Sequence, residues 1–390
     1  MDFSLTDEQR AIRSTIRSFV TKEVLPLEKE LLHRQQRDNS GITHDELREL
    51  QLKARKFGFW GPSTPVEYGG MGLDCVDQSL LHMELGKTLV RFHLGGEADN
   101  ILYDCDAEQR QKYLLPTIEG DISSCFAVTE PDAGSDLTAL RTSARQDGDD
   151  WVIDGEKTFI SHALDADLAI VIARTDPDAN YRTAYTAFLV ERSMGFSTAP
   201  IVTMGQMQPA TLSLDGVRVP AANVLGEVGD GFRLAMRWIG RGRYIQPSRA
   251  VGAAERLLGM AVEYAHVRRT FGKPIKDHQA IQWMIADSTA ELEAARYMTL
   301  LAAWSADHDD ETRVATSAIA KLTVANWACD IADRVLQIHG GIGYTQELPI
   351  QLWVRDLRVL RIYEGSDEIQ RRTLAGQVLS GRYKPGGHLG

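Results

Sequence analysis

Apolar residues recur along this chain at two spacings, and the spacing changes twice. Leu5, Ile12, Ile16, Phe19 and Val20 fall at helical intervals behind Thr6 and Asp7, with Gln9 three residues past Thr6 as a capping partner. Helix-like stretches follow at 45–56, 75–85 and 107–118, and the breaker-rich segments 61–65 and 68–72 read as loop. From about 121, short β-prone runs take over at 151–153, 158–160, 168–172 and 187–190, with turn signals such as Gln146-Asp147-Gly148-Asp149 between them. That spacing predicts an antiparallel sheet or barrel. From about 230 the helical period returns. Ala318, Leu322, Ala325, Cys329, Ala332 and Leu336 alternate steps of four and three, the seam of a bundle helix, and Gly340-Gly341 ends it. The tail after Tyr383 is expected to fray. The expected fold class is α+β and multidomain: a helical domain at 1–120, a β-barrel or sheet domain at 121–228 and a helical bundle at 229–390.

The 390 residues carry a net charge of -11, with 43% hydrophobic and 25% charged residues. Those are values of an ordinary globular chain, and a basic face for nucleic acid or an anionic membrane is not called for. Cys75, Cys105, Cys125 and Cys329 lie far apart without a CxxC pair, which argues against a zinc site and a disulfide framework and for a reduced compartment. The first nine residues lack a secretory pattern, and the longest fully apolar run, 168–173, is far below membrane-span length. A cytoplasmic location is expected, with no metal, no nucleic acid and no membrane insertion.

Several chemistries lose their sequence support. HExxH, EF-hand, P-loop, GxSxG and GxGxxG motifs are all absent. Five segments remain. Phe126 to Asp136 sets a strand end against a turn rich in backbone donors and hydroxyls. Lys157-Thr158-Phe159-Ile160-Ser161 puts an aromatic and a hydroxyl on one face of a strand. Arg268 to Ile275, followed by Asp277-His278-Gln279, gathers cations at a helix break that could grip a pyrophosphate. Gln337 to Gly341 exposes backbone beyond a helix. Finally, Arg361 to Arg371 contains Ser366 as a helix N-cap and Glu364 ahead of it, where a carboxylate can project into a pocket. Taken singly, each also reads as a surface turn, a half-buried strand, a helix end or a solvated acid.

In this order the five segments closely resemble the acyl-CoA dehydrogenase family. The opening residues 1–9, the loop 65–73, the strand end 217–220 and the turn 223–232 add to a resemblance that spans nearly the whole chain. It implies an N-terminal helical domain, a central antiparallel β domain and a C-terminal four-helix bundle. It also implies FAD and oxidation of an acyl-CoA thioester to the trans-2-enoyl product. A carboxylate takes the pro-R α-proton while the β-hydrogen leaves as hydride to flavin N5. By resemblance Glu364 is that base, flanked at the substrate by Tyr363 and Gly365. A minority of members place the base on a bundle helix, at the position that is Gly242 here. Phe126, Val128, Thr129 and Ser135 would line the flavin, with Ser135 also near the CoA arm. Phe159 and Ser161 would pack against and hydrogen-bond its ring. Arg268, Phe271, Gln279, Gln337, Gly340 and Gly341 would hold the adenine half, partly across a subunit boundary, and Ser366 and Glu368 would meet the cofactor near the base. Arg243 matches an arginine beside substrate and base.

The resemblance further implies a homodimer or homotetramer and an electron-transfer flavoprotein as acceptor. Phe126 and Phe159 replace the Tyr and Trp of many members and stay aromatic, which keeps flavin stacking, and Ser161 in place of Thr keeps the hydroxyl. Gly240 replaces a common acidic residue that contacts CoA. With Gly242 and Pro247 it predicts a kinked helix and a pocket reshaped for a branched, cyclic or bulky acyl group. Two other readings stay open: an oxidase or other flavin reaction on the same scaffold, and a non-catalytic acyl-CoA-binding or assembly protein.

Overall fold

The computed structural model describes residues 4–38, 41–308 and 310–386. Residues 1–3 of the opening segment and Gly387 of the tail lie outside them. The chain forms two compact units. One is helical and collects the residues up to Phe59, Leu73–His93 and the chain from Gly242 on; the other is built on a sheet from Trp60–Gly72 and Leu94–Arg241.

In the helical unit, the predicted capping box is present. Thr6 accepts from the Gln9 N–H and Gln9 reaches back to Thr6, opening helix Asp7–Phe19. Thr43 and Glu46 repeat the device ahead of helix His44–Lys56, and Asp74 caps helix Cys75–Leu85. Buried Glu84, on that last helix, accepts from Arg13 and Arg17 and pairs with Lys87. Burial alone would raise its pKa, but the three cations hold it down to about 2. The later helices are Gln279–Asp307, Arg313–His339, Ile350–Arg358 and Asp367–Leu379, together with the part of Gly231–Val267 that follows Arg241.

Helix Arg313–His339 corrects the predicted seam. Leu322, Cys329 and Leu336 are only half-buried, whereas Lys321, Val324, Ala328, Ile331, Val335 and Ile338 are buried. Neighbouring helices cover more than one side of it, so the buried stripe is wider than an a/d seam and is centred one position away. A lysine falls within that stripe, where an apolar pattern does not look for one. Gly340, at φ +60°, ends the helix as expected.

The other unit carries an eight-stranded sheet. Its main path runs Ser197–Pro200, Ala210–Pro220, Asp150–Ile160, Ser143–Asp147, Leu168–Arg174, Tyr185–Glu191 and Val224–Leu225, and Ser124–Ala127 pairs with Leu168–Arg174 off that path. Most pairings are antiparallel; Leu168–Arg174 is parallel to both Ser124–Ala127 and Ser143–Asp147. Leu168, Ile170 and Ile172 pack into one core and Ala169, Val171 and Ala173 into the other. A strand buried on both faces is why the run is continuously apolar rather than alternating. The two predicted runs 151–153 and 158–160 are one strand, whose register against Ala210–Pro220 is broken twice, between Ile153 and Gly155 and between Lys157 and Ile160. No described helix is long and apolar enough to cross a membrane.

Candidate active site

Glu364 lies between the 3-10 turn Val359–Arg361 and helix Asp367–Leu379, in the helical unit. The link is short and must reverse, and two successive left-handed residues do it: Glu364 at φ +52° and Gly365 at φ +88°. A non-glycine residue in that region is strained and persists only where the surroundings enforce it. They do so here. From helix Asp367–Leu379, Gln370 Nε2 donates to the carbonyls of Glu364 at 3.3 Å and Gly365 at 3.2 Å. From helix Arg313–His339, buried Lys321 donates Nζ to the carbonyls of Leu360 and, at 3.0 Å, Gly365. Buried Asp367 accepts from Arg361 and from Asn326 at 2.9 Å each. Ser366 caps the helix, accepting from the Ile369 N–H.

The clamp fixes the backbone and leaves the carboxylate nearly bare. Gln246 Nε2 reaches Glu364 Oε1 only at 3.4 Å, while Gln246 Oε1 accepts from the Tyr363 hydroxyl at 2.7 Å. Oε2 is fully buried and has no hydrogen-bond partner among the described residues, although the residue as a whole is only half-buried. Burial raises the Glu364 pKa to about 7, against the opposing pull of Lys321, Gln246 and Arg243. Arg243 Nε is likewise buried and without a partner among the described residues, and desolvation lowers its pKa. Tyr363 is driven above the usual phenol range by burial and by Glu364 beside it. Gly242 completes the arrangement, because a Cβ at this position would overlap the Glu364 carboxylate. The two positions considered for the base therefore share one space. Gly242 and Pro247 both fall within the bounds of helix Gly231–Val267. A narrow crevice beside the clamp is lined by Gln246, Pro247, Ala250, Lys321, Ala325 and Leu360.

In the sheet unit, Phe126 and Val128 are buried, and the Phe126 ring stacks on Trp238 with centroids 4.4 Å apart. The turn that follows is tied down by a buried ion pair. Lys157 Nζ lies 2.8 Å from Glu130 Oε1 and donates to the Val128 carbonyl at 3.0 Å. Glu130 also accepts from the backbone N–H groups of Arg141 and Thr142, and the Thr158 N–H donates to the Thr129 carbonyl. Ser135 is exposed at the far side of this turn. Phe159 is 62% exposed and sits at φ +58°, within the second register break. Exposed Ser161 contacts Met207 Sδ at 3.8 Å. A pocket of about 270 Å³ in this unit, among Lys112, Tyr113, Glu191 and Arg192, contains none of the residues predicted from the sequence.

The residues expected at the adenine half are exposed on separate elements of the helical unit. Phe271, 96% exposed at φ +49°, and Gly272 form the tip of the hairpin Arg269–Thr270 to Lys273–Pro274, next to Arg268. Gln279 opens helix Gln279–Asp307, whereas Gln337, Gly340 and Gly341 lie at the end of helix Arg313–His339. Glu368 is exposed in the first turn after Ser366. Gln246, Lys321 and Gln370 were not predicted. Lys321 alone had a signal, a lysine in helical phase with Ala325, Ala328 and Ala332.

Comparison with known proteins bears on this geometry. The models of the acyl-CoA dehydrogenase N-terminal, middle and C-terminal domains match residues 6–121, 125–217 and 229–379. The (R)-benzylsuccinyl-CoA dehydrogenase of Thauera aromatica is 36% identical, with 97% of each chain covered. The butyryl-CoA dehydrogenase structure from Megasphaera elsdenii superposes with a TM-score of 0.85 at 32% identity, covering 97% of this chain and 100% of that one. A chain from the structural work on the electron transferring flavoprotein of Acidaminococcus fermentans and flavin-based electron bifurcation gives 0.85 at 33%, covering 97% and 99%. With all three domain models matched in order and relatives aligned nearly end to end, the chain belongs to the acyl-CoA dehydrogenase family.

Proposed function

We propose that Glu364 is the base that removes the α-proton as this FAD-dependent dehydrogenase oxidises its acyl-CoA. One observation carries the assignment: a carboxylate with pKa about 7 whose Oε2 is buried and unclaimed. A thioester α-proton is a poor acid, and each pKa unit gained by the base is worth about 1.4 kcal/mol. Burial supplies that gain, and the strained, clamped backbone holds the carboxylate still while Gly242 leaves it room. The backbone N–H of Glu364 is our candidate donor to the thioester oxygen as charge develops there; such a donor is typically worth about 3–4 kcal/mol. Arg243, Tyr363 and Gly365 border the reacting end of the substrate.

FAD, when bound, supplies the acceptor for the β-hydrogen. The residues present fit it. In the sheet unit, an exposed aromatic held in left-handed backbone, Phe159, and the free-facing hydroxyls of Ser135 and Ser161 suit a planar, hydrogen-bonding ring, with Phe126, Val128 and Thr129 on the adjoining strand end. In the helical unit, Arg268, Phe271 and Gln279, then Gln337, Gly340 and Gly341, then Ser366 and Glu368, present cations, an unburied ring and open backbone suited to an adenine diphosphate. We further propose domains at 1–120, 121–228 and 229–390, a cytoplasmic homodimer or homotetramer, and an electron-transfer flavoprotein as acceptor. Exposed Phe271, Trp283 and Tyr344 support the assembly.

Dye-linked oxidation of an acyl-CoA panel by the yellow holoenzyme and by Glu364→Gln tests the assignment. The variant should bind flavin normally and lose turnover; a fully active variant would refute it.

A further inference from the structure

Most arginines drawn into the helical unit meet an acid. Arg13 and Arg17 meet Glu84, Arg296 meets Glu255, Arg334 meets Glu291 and Arg361 meets Asp367. Arg249 does not. Its Nη2 donates to the Phe92 carbonyl at 3.0 Å and its Nε to His82 Nδ1 at 3.4 Å, both neutral acceptors. The charged neighbour it does have is a second cation, exposed Arg91. Neither arginine forms an ion pair with any described residue. Close packing holds Arg249 in place, since a Cβ at Gly86 would overlap its carbonyl. Desolvation, aggravated by Arg91, lowers its pKa to about 10. An unpaired, desolvated guanidinium costs stability that a hydrophobic residue here would not, so an anion from outside the chain is its natural complement.

Where Arg249 sits identifies that anion. It follows Gln246 by three residues on the same helix, and side chains so spaced are neighbours on one face. Gln246 is the residue that touches both Glu364 and Tyr363, and Tyr363 lies close enough to Arg249 and Arg91 for their charges to bear on its hydroxyl. Arg249 thus lies about one helical turn from the residue that touches the base, with Arg91 beside it. The phosphates of CoA are separated from the thioester by the whole pantetheine arm and are too remote from the α-carbon for this role. What lies within reach is the acyl chain itself.

We propose that Arg249, assisted by Arg91, receives a carboxylate on the acyl chain, so that the substrates are acid-bearing acyl-CoAs of succinyl or glutaryl type rather than plain fatty acyl-CoAs. This rests on Glu364 being the base, which fixes the α-carbon from which the tail is measured. The expectation of a pocket reshaped for bulk becomes an expectation of charge.

Matched esters that exchange only a carboxylate for a methyl group test it: glutaryl-CoA against pentanoyl-CoA, and 2-methylsuccinyl-CoA against 2-methylbutanoyl-CoA. The holoenzyme should favour at least one acid ester over its partner by about 10- to 100-fold in kcat/KM, the range of a charge-assisted hydrogen bond. Arg249→Gln should erase that ratio, Arg249→Lys keep part of it, and Arg91→Gln reduce it less. Calorimetric binding to Glu364→Gln should show the same preference without turnover. Equal or greater use of both neutral esters by the wild type, or a ratio unmoved in Arg249→Gln, overturns the inference and leaves the base assignment standing. If no ester is oxidised faster by wild type than by Glu364→Gln, the base assignment falls and this inference with it.

Discussion

Two buried lysines, one in each unit, stand beside two glutamates, and the glutamates end in opposite states. Burial holds both Lys157 and Lys321 down to about 8. Lys157 spends a proton directly on Glu130 at 2.8 Å, and two backbone N–H groups fill the rest of that carboxylate, which is held below the usual range despite its burial. Lys321 commits its protons to the Leu360 and Gly365 carbonyls and acts on Glu364 only through space; that carboxylate rises to about 7. The same pair of residue types makes a structural tie in one place and a poised proton acceptor in the other. What a buried cation does to an acid depends on where its hydrogens are already engaged.

The contrast can be broken in four ways. Glu364→Gln should lower turnover by about 10³–10⁴-fold with flavin content and melting temperature preserved, read by dye-linked assay and by the visible spectrum. Glu130→Ala should do its damage in folding: leaving Lys157 buried without its counter-charge should cost about 3–5 kcal/mol in denaturant unfolding. If Glu130→Ala unfolds like the wild type, the tie is not structural. Gly242→Ala should displace the Glu364 carboxylate and reduce kcat by about 10²-fold while the fold survives, a mismatch that melting curves and kinetics on one preparation would show.

The smallest effect concerns pH. A base with pKa about 7 is protonated below that value, so kcat/KM should fall with unit slope as pH drops through about 7. Lys321 pulls the Glu364 pKa down, so Lys321→Met should move this acid limb to higher pH, by about one unit. The linkage signs are opposite in the two units. The raised Glu364 pKa makes its ionisation destabilising as pH climbs from its unfolded value through 7, whereas the lowered Glu130 pKa gives stability that is lost as pH falls through it. A limb unmoved in Lys321→Met would count against the through-space role.

Local signals in the sequence were strong where the physics is local. The Thr6–Gln9 box, the helix Cys75–Leu85, the stop at Gly340 and the turn ahead of Ser366 all follow from neighbours in the chain. The fold class follows from the two changes of apolar spacing, and Glu364 as candidate from the ordered motif set. Pattern reading failed where tertiary structure decides. Ala318, Ala325 and Ala332 are buried as the seam predicts, but Leu322, Cys329 and Leu336 are not, because apolar spacing cannot report how many helices surround a helix. The strand Asp150–Ile160 was split because its polar middle, Asp154 to Lys157, looks like a turn when the register break is invisible. Gln246, Gln370 and Arg249 are polar residues on helices, indistinguishable in one sequence from solvated ones; only their surroundings in the fold reveal them.

The hydrogen atom that serves as the side chain of residue 242 also has an evolutionary consequence. Residues 242 and 364 draw on a single volume, so an acid cannot be added at the first while one remains at the second. A lineage that moved its base between them would have to pass through an ancestor with no acid there, or one with two carboxylates forced into each other. That barrier makes the choice of position slow to reverse, and it makes the paired exchange, tried together and separately in this chain, a direct measurement of how deep the valley is.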